Sequence, residues 1–301
     1  MNLAKDIREF LMTRRARIGP EQVGLPSGRR RRVPGLRREE VAQLAGVSTE
    51  YYTQIERGNV GGVSDDVLHA VARALQLSDD ETAHFFDLAR AVIGARTGTR
   101  TKRGASQAIP DGVQGLIDNL GTSPAIVMNG SLDILAANRL GRALYAPVFD
   151  RATGVPNLAR FIFFDTYAEE VFPEWERTAD EAVALLQAEA ARSPHSPAIT
   201  QVVGELATRS EAFRTRWAAH NVTAHRHGVK RFRHSEFGEL SLMYNVFAVT
   251  AAPGLSLVGY TAEPNSPAAQ ALQILASWSL KAQFAPDPSW TERDTPSAAT
   301  D

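Results

Sequence analysis

Apolar residues recur at helical spacing through about the first ninety residues, and they alternate at strand spacing only later in the chain. Residues 3–15 place Ile7, Phe10 and Leu11 on one stripe opposite Lys and Arg, which is typical of an amphipathic helix. Four further segments repeat this spacing, and a serine precedes three of them in the position of a helix cap. The pattern predicts a five-helix bundle over residues 1–93.

The second and third predicted helices, over residues 37–45 and 49–57, are joined by a very short turn. Gly46 lies in this turn, where the backbone needs a positive φ. Val41 and Leu44 are expected to face the interior of the bundle. A helix, a glycine turn and a second helix form the layout of a helix-turn-helix motif, whose second helix enters the major groove of DNA.

The sequence changes character after residue 93. Residues 94–112 are rich in Gly, Thr, Arg and Ser, which is typical of an exposed linker. Segments with helical spacing follow at 113–120, 138–145, 166–190, 198–219 and 266–280. Segments with strand spacing lie at 125–128, 134–137, 229–234, 240–249 and 255–261. Residues 113–284 are therefore predicted to form an α+β unit with an antiparallel sheet, and residues 285–301 a disordered tail.

The net charge of −1 conceals an uneven distribution of charge. Residues 1–103 carry 18 Lys and Arg against 13 Asp and Glu, so the excess of acidic residues lies in the rest of the chain. The basic residues cluster at Arg29, Arg30, Arg31, Arg32, Arg37 and Arg38. A basic first part favours a polyanionic partner, although a run of charge is equally typical of a solvated loop.

Composition and missing motifs disfavour several other classes of protein. The absence of cysteine excludes disulfides, thiolate metal sites and a cysteine nucleophile. No apolar run is long enough to span a membrane, and the charged first residues are unlike a secretory signal, so a cytoplasmic location is expected. His225 and His227 invite a metal site, but the neighbouring Arg226 and Lys230 oppose a divalent cation. With no nucleophile elbow, phosphate-cradling loop or dinucleotide fingerprint, the sequence predicts no enzyme, cofactor or metal site.

Two segments of the first half resemble the lambda-repressor-like helix-turn-helix family, also called the XRE family. They are LRREEVAQLAGVSTEYYTQIERG, at residues 36–58, and LHAVARALQLSDDE, at residues 68–81. The basic insertion before Leu36 and the Tyr51-Tyr52 pair are similar to one subfamily, the MmyB-like regulators. The segments PAIVMNGSLDILAANRLGRALY, NLARFIF and HSEFGELSLMYNVFAV resemble the PAS-like half of those regulators. The resemblance covers residues 3–280 and implies a one-component transcription regulator with a lambda-repressor-like bundle and a PAS-like sheet.

The family resemblance implies roles in DNA binding for exposed residues of the first half. Thr49, Glu50 and Gln54 would reach base edges, since Gln can pair with adenine and Glu can accept from cytosine. Glu50 can equally orient an arginine. Contacts to phosphate and backbone are expected from Arg29, Arg30, Arg31, Arg32, Arg37, Arg38, Tyr51 and Arg57, with Ser48 at the start of the reading helix. Gly61-Gly62-Val63 departs from the family, in which a proline often precedes the fourth helix.

The same resemblance implies that the PAS-like half binds a small hydrophobic molecule such as a fatty acid. Its candidate contacts are apolar or aromatic (Phe164, Trp175, Trp217), hydroxyl-bearing (Tyr244, Tyr260) or able to meet a carboxylate (Arg160, His220). Aromatic residues of this kind are more often plain core residues. Because the chain holds one helix-turn-helix motif, a homodimer on a two-fold operator is expected. The alternative is a ligand-free, DNA-bound regulator whose second half mediates dimerisation and recruits a protein.

Overall fold

The computed structural model describes residues 3–26, 35–97, 109–220 and 226–281. Five helices form the N-terminal unit: α1 (Leu3–Arg17), α2 (Arg38–Ala45), α3 (Thr49–Glu56), α4 (Asp65–Ala74) and α5 (Asp79–Thr97). A short 3-10 turn, Pro20–Val23, follows α1. The predicted five-helix bundle is confirmed.

The start of α5 shows how local sequence determines a helix boundary. The Ser78 hydroxyl accepts from the backbone N–H of Glu81 at 3.2 Å, and the Glu81 carboxylate accepts from the N–H of Ser78 at 3.0 Å. This reciprocal pair satisfies two backbone donors that a helix start would otherwise leave unpaired. Ser48 and Ser64 cap α3 and α4 with one bond each, since their hydroxyl oxygens accept from the backbone N–H of Tyr51 and of Val67.

The core of the N-terminal unit is built by residues that are fully buried, among them Phe10, Tyr52, Ile55 and Phe85. Leu44 does not belong to it, since 38% of the residue is exposed, and the expectation that it faces inward is wrong. The inward face of α2 consists of Val41, Ala42 and Ala45. Leu44 lies beyond the edge of this face because successive residues of a helix are rotated by about 100°.

The C-terminal unit begins with α6 (Asp111–Asp118) and contains a five-stranded sheet. Its strands are β1 (Ala125–Asn129), β2 (Ile134–Ala137), β3 (His227–His234), β4 (Gly238–Ala248) and β5 (Leu255–Thr261). The spatial order is β2-β1-β5-β4-β3, and every neighbouring pair is antiparallel. The predicted PAS-like antiparallel sheet is confirmed, and β2 and β5 have the predicted bounds.

Among the described residues, seven helices lie between β2 and β3 and one helix follows β5. They are α7 (Arg139–Leu144), α8 (Ala146–Asp150), α9 (Leu158–Phe164), α10 (Ala168–Val171), α11 (Trp175–Arg192), α12 (Pro197–Arg209), α13 (Glu211–Ala219) and α14 (Pro267–Lys281). Among the residues that the structure describes, none of these helices combines the length and apolar character needed to span a bilayer.

The prediction of two long helices in this block is wrong, because each is interrupted. The segment 166–190 breaks between α10 and α11 at Phe172, which is extended because Pro173 follows it. The segment 198–219 breaks at Ser210, which is also extended and whose hydroxyl caps α13 by accepting from Phe213 N–H at 3.1 Å. Helical spacing continues across both breaks, so apolar periodicity alone does not reveal them.

One face of the sheet forms the main core of the C-terminal unit. Strand alternation turns Leu240, Leu242 and Tyr244 of β4 inward, where they are buried. The register pairs Leu240 with Phe232 on β3 and Tyr244 with Tyr260 on β5, so the same face continues across three strands. Helices α9, α10 and α11 cover this face.

Candidate DNA-binding surface and ligand cavity

Helices α2 and α3 form the predicted helix-turn-helix. Gly46 ends α2 with a φ of 68°, which confirms the predicted left-handed turn. Tyr52 and Ile55 face the core and anchor α3. The opposite side of the motif exposes the predicted base and backbone contacts Ser48, Thr49, Glu50, Tyr51, Gln54 and Arg57. The Ser48 hydroxyl oxygen accepts from Tyr51 N–H at 3.0 Å, so Ser48 is first of all a helix cap.

A buried carboxylate joins the first three helices. Glu56 of α3 is only 1% exposed, and its Oε2 accepts from Arg15 Nε of α1 at 3.0 Å. Its Oε1 accepts from Nε and Nη2 of Arg38 at 2.9 and 2.7 Å. Arg15 also donates to the carbonyl of Leu36 at 2.7 Å. The network fixes the angle between α1, α2 and α3, and it holds the half-exposed Arg38 guanidinium beside the motif.

The sequence did not reveal this role of Glu56, because its first partner lies 41 positions earlier in the chain. Arg37, the other arginine at the start of α2, is exposed and pairs with Glu39 at 3.2 Å. The predicted contacts Arg29, Arg30, Arg31 and Arg32 lie outside the described residues.

The C-terminal core contains a small cavity of about 50 Å³ between the sheet and α11. Tyr145, Tyr244 and Tyr260 line it, and the hydroxyls of Tyr145 and Tyr260 are hydrogen-bonded to each other. The Tyr244 hydroxyl has no hydrogen-bond partner among the described residues, and burial raises its pKa to about 12. The predicted residues Tyr244 and Tyr260 therefore share one apolar cavity, and one of them retains an unused polar atom.

The cavity also contains a buried ion pair. Lys230 Nζ of β3 lies 3.3 Å from Glu181 Oε2 of α11 and 5.3 Å above the Phe172 ring. Burial lowers the pKa of Lys230, and the neighbouring Glu181 carboxylate opposes this shift. Lys230 precedes the buried Phe232 by two positions, so strand alternation was the signal that could have placed it on the inner face.

A second, open cleft of about 490 Å³ lies on the outer side of α9. The predicted residues Arg160 and Phe164 line this cleft, whereas Tyr244 and Tyr260 line the smaller cavity. Arg160 Nε donates to Glu205 at 2.8 Å, and the Arg209 guanidinium lies 4.1 Å above the Phe164 ring. Each of these two arginines is paired with Glu205, so an anionic ligand here would have to compete with an internal carboxylate.

Three of the predicted ligand contacts line neither cavity. Trp175 donates from its indole N–H to the carbonyl of Ile162 at 2.9 Å. Trp217 stacks on Phe213. His220 ends α13 with a φ of 48°, and its Nε2 lies 3.3 Å from a carboxylate oxygen of Glu9 in α1. The structure thus places these side chains in packing and domain contacts, and His220 belongs to the junction between the two units.

Charged and aromatic groups are buried at this junction. Arg14 of α1 is 3% exposed, and its guanidinium contacts the carbonyl of His220 and lies 2.8 Å from Glu81 Oε1. His84 of α5 meets Phe10 edge-on, and burial lowers the pKa of its imidazole to about 3. The last turn of α11 packs on α5, where Ala191 is buried in the core of the N-terminal unit. The two units therefore share a packed interface.

Both halves of the chain match known protein families. Residues 13–85 match a helix-turn-helix domain, and residues 109–275 match the MmyB-like transcription regulator ligand binding domain. The second match covers more than half of the chain. The chain belongs to the MmyB-like transcription regulators. This MmyB-like protein is a DNA-binding transcription regulator with a ligand-binding domain, and the resemblance inferred from the sequence is confirmed. No curated protein matches the chain.

Proposed function

We propose that this MmyB-like protein reads an operator through α3 and changes its affinity for DNA when a small hydrophobic molecule enters the cavity between the sheet and α11. The observation that carries this proposal is that α11 lines the cavity and also packs into the core of the N-terminal unit. Its residues Glu181, Ala182 and Leu185 line the cavity, while Ala191 in its last turn is buried in the core of the N-terminal unit. Its 18 residues contain neither Gly nor Pro, so it spans about 27 Å as one rigid rod.

The DNA contacts follow from the exposed side of the helix-turn-helix. Thr49, Glu50 and Gln54 face the base edges in this proposal. Phosphate and backbone contacts come from Arg29, Arg30, Arg31, Arg32, Arg37, Arg38, Ser48, Tyr51 and Arg57. One motif reads one half-site, so two chains bind a two-fold operator whose half-sites lie about 34 Å apart. The DNA-binding unit is residues 1–93, joined by a linker over 94–112 to the ligand-binding unit, residues 113–284.

The size of the cavity determines how a ligand would act. Ligand sites usually measure about 300–1,000 Å³. A cavity of about 50 Å³ is much smaller, so a ligand such as a fatty acid enters only if the walls move apart. Its carboxylate would take the place of Glu181 beside Lys230, and its chain would displace α11. A coupling of about 1–3 kcal/mol, typical of such switches, changes operator affinity about 5–150-fold.

Native mass spectrometry of the purified protein, followed by organic extraction, tests the ligand part of this proposal. We expect a bound amphiphile with an acidic head group, which is lost in Lys230→Met. The matched control is Arg231→Met on the adjacent residue, whose side chain is 54% exposed and paired with Glu174, outside the residues that line the cavity. Equal retention of the molecule by both variants would contradict the role assigned to Lys230.

The small cavity also supports a second function. In that alternative the protein binds DNA without a ligand, and its C-terminal unit mediates dimerisation and recruits a protein. A clean dimer with no co-purifying molecule, together with no response of DNA binding to added fatty acids such as palmitate, would favour this alternative. DNA binding itself would be unaffected by that outcome.

A further inference from the structure

The proposed base-reading residue Gln54 is held by a neighbour to which the sequence assigned no role. Asn59 Nδ2 donates to Gln54 Oε1 at 2.7 Å. The backbone N–H of Asn59 also donates to the carbonyl of Gln54 at 2.9 Å. Both residues are exposed, and two hydrogen bonds hold Asn59 against the last turn of α3.

Tight packing between α3 and α1 determines where Asn59 lies. The chain leaves α3 through Gly58, whose φ is 84°. A Cβ atom at Gly58 would lie 2.5 Å from Cα of Ala4 in α1, so only glycine fits this position. The turn at Gly58 brings Asn59 back over the end of α3, where its side chain reaches Gln54.

This contact changes what the Gln54 amide can offer to DNA. Bidentate pairing of glutamine with adenine needs the amide oxygen to accept from N6 while the amide nitrogen donates to N7. In this structure Oε1 already accepts from Asn59, whereas Nε2 makes no hydrogen bond among the described residues, so its two hydrogens are the free donors of the amide. Guanine is the base that presents two adjacent acceptors, N7 and O6, in the major groove.

We propose that Asn59 is a positioning residue that sets base specificity, because it orients the Gln54 amide to donate to guanine rather than to pair with adenine. The proposal rests on the proposed placement of α3 in the major groove.

The test is selection of double-stranded DNA from a random library by the full chain and three variants. Gln54→Ala identifies the base position that Gln54 reads, since preference at that position disappears. At this position we expect the unmodified chain to prefer guanine over adenine by about tenfold, near the low end of what one good base contact provides. Asn59→Ala frees the amide, and the preference for guanine over adenine is lost.

Asn59→Asp is the decisive variant because it inverts the hydrogen bond. An aspartate only accepts, so it binds Gln54 Nε2 and turns Oε1 outward. Preference then moves toward a base that donates, adenine through N6 or cytosine through N4. The added negative charge weakens binding to all sequences alike, so the ratio between bases remains the readout.

Retention of the guanine preference by both Asn59 variants would overturn the proposal, as would a preference for adenine in the unmodified chain. If Gln54→Ala leaves every position unchanged, Gln54 does not read a base; this inference then fails while DNA binding stands. If the unmodified chain enriches no sequence at all, the proposed function itself fails.

Discussion

Removal of the Glu56 carboxylate should strongly destabilise the DNA-binding unit. Glu56→Ala leaves Arg15, which is only 14% exposed, without its carboxylate partner. Breaking a buried ion pair in this way costs about 3–5 kcal/mol. That is a large share of the roughly 5–15 kcal/mol that holds a typical domain together.

Arg38→Ala is the matched control for this change. It removes the other partner of Glu56, but the Arg38 side chain is 45% exposed and the pair between Arg15 and Glu56 stays intact. Solvent screening limits the contribution of such a half-exposed pair to about 1 kcal/mol or less. Glu56→Ala removes the carboxylate, whereas Arg38→Ala removes only one of its partners. The losses in free energy of unfolding should therefore differ about threefold or more.

Urea denaturation can separate the two units because the four tryptophans, Trp175, Trp217, Trp278 and Trp290, all lie in the second half of the sequence. Tryptophan fluorescence reports on the C-terminal half, while far-ultraviolet circular dichroism reports on helices throughout the chain. For Glu56→Ala we expect an early loss of helical signal that precedes the fluorescence change. A variant that unfolds within about 1 kcal/mol of the unmodified chain would refute the assignment of Glu56 as a buried ionic centre.

Three further outcomes follow from the structure. Arg38→Ala should weaken binding to all DNA sequences alike and reduce the salt dependence by about one phosphate contact, measured by titration at several salt concentrations. Burial lowers the folded-state pKa of His84 to about 3, so the unfolded chain takes up the proton first as pH falls below about 6.5. Acidification from about pH 7.5 to about pH 5.5 should therefore cost about 1.4 kcal/mol of stability through His84, and His84→Leu should remove that part of the loss in denaturation curves. Ala191→Leu overfills the contact between α11 and α5 at a cost of about 1–3 kcal/mol, and it should also diminish the effect of a bound ligand on operator affinity.

Apolar periodicity predicted the elements in which a buried side alternates with a more exposed side. The bundle helices and the strands β2 and β5 are of this kind, so the spacing of apolar residues alone located them. It failed at Phe172 and Ser210, where a proline or a cap interrupts a helix without changing the apolar pattern. Periodicity also failed at Leu44. In a helix of only eight residues the pattern is too short to fix the buried face to within one position, and Leu44 lies one position away from it.

Local sequence patterns likewise locate some of the candidate functional residues and miss others. Tyr244 and Tyr260 were named only as candidate ligand contacts, and the pairing of their strands places both on the inner face of the sheet. The pairs formed by Glu56 with Arg15 and by Lys230 with Glu181 depend on elements far apart in sequence, so no local pattern displays them. His220 was assigned to the ligand for its chemistry, but the contact between the two units determines where it lies.

The dissociation constant of the selected operator, measured before and after removal of the bound molecule, tests the coupling between cavity and DNA most directly. The same preparation is passed over a hydrophobic resin and then supplied again with the extracted molecule, or with palmitate if none is found. If α11 transmits occupancy of the cavity to α5, operator affinity should change at least about fivefold and return when the molecule is restored. An identical dissociation constant in all three states would contradict the coupling.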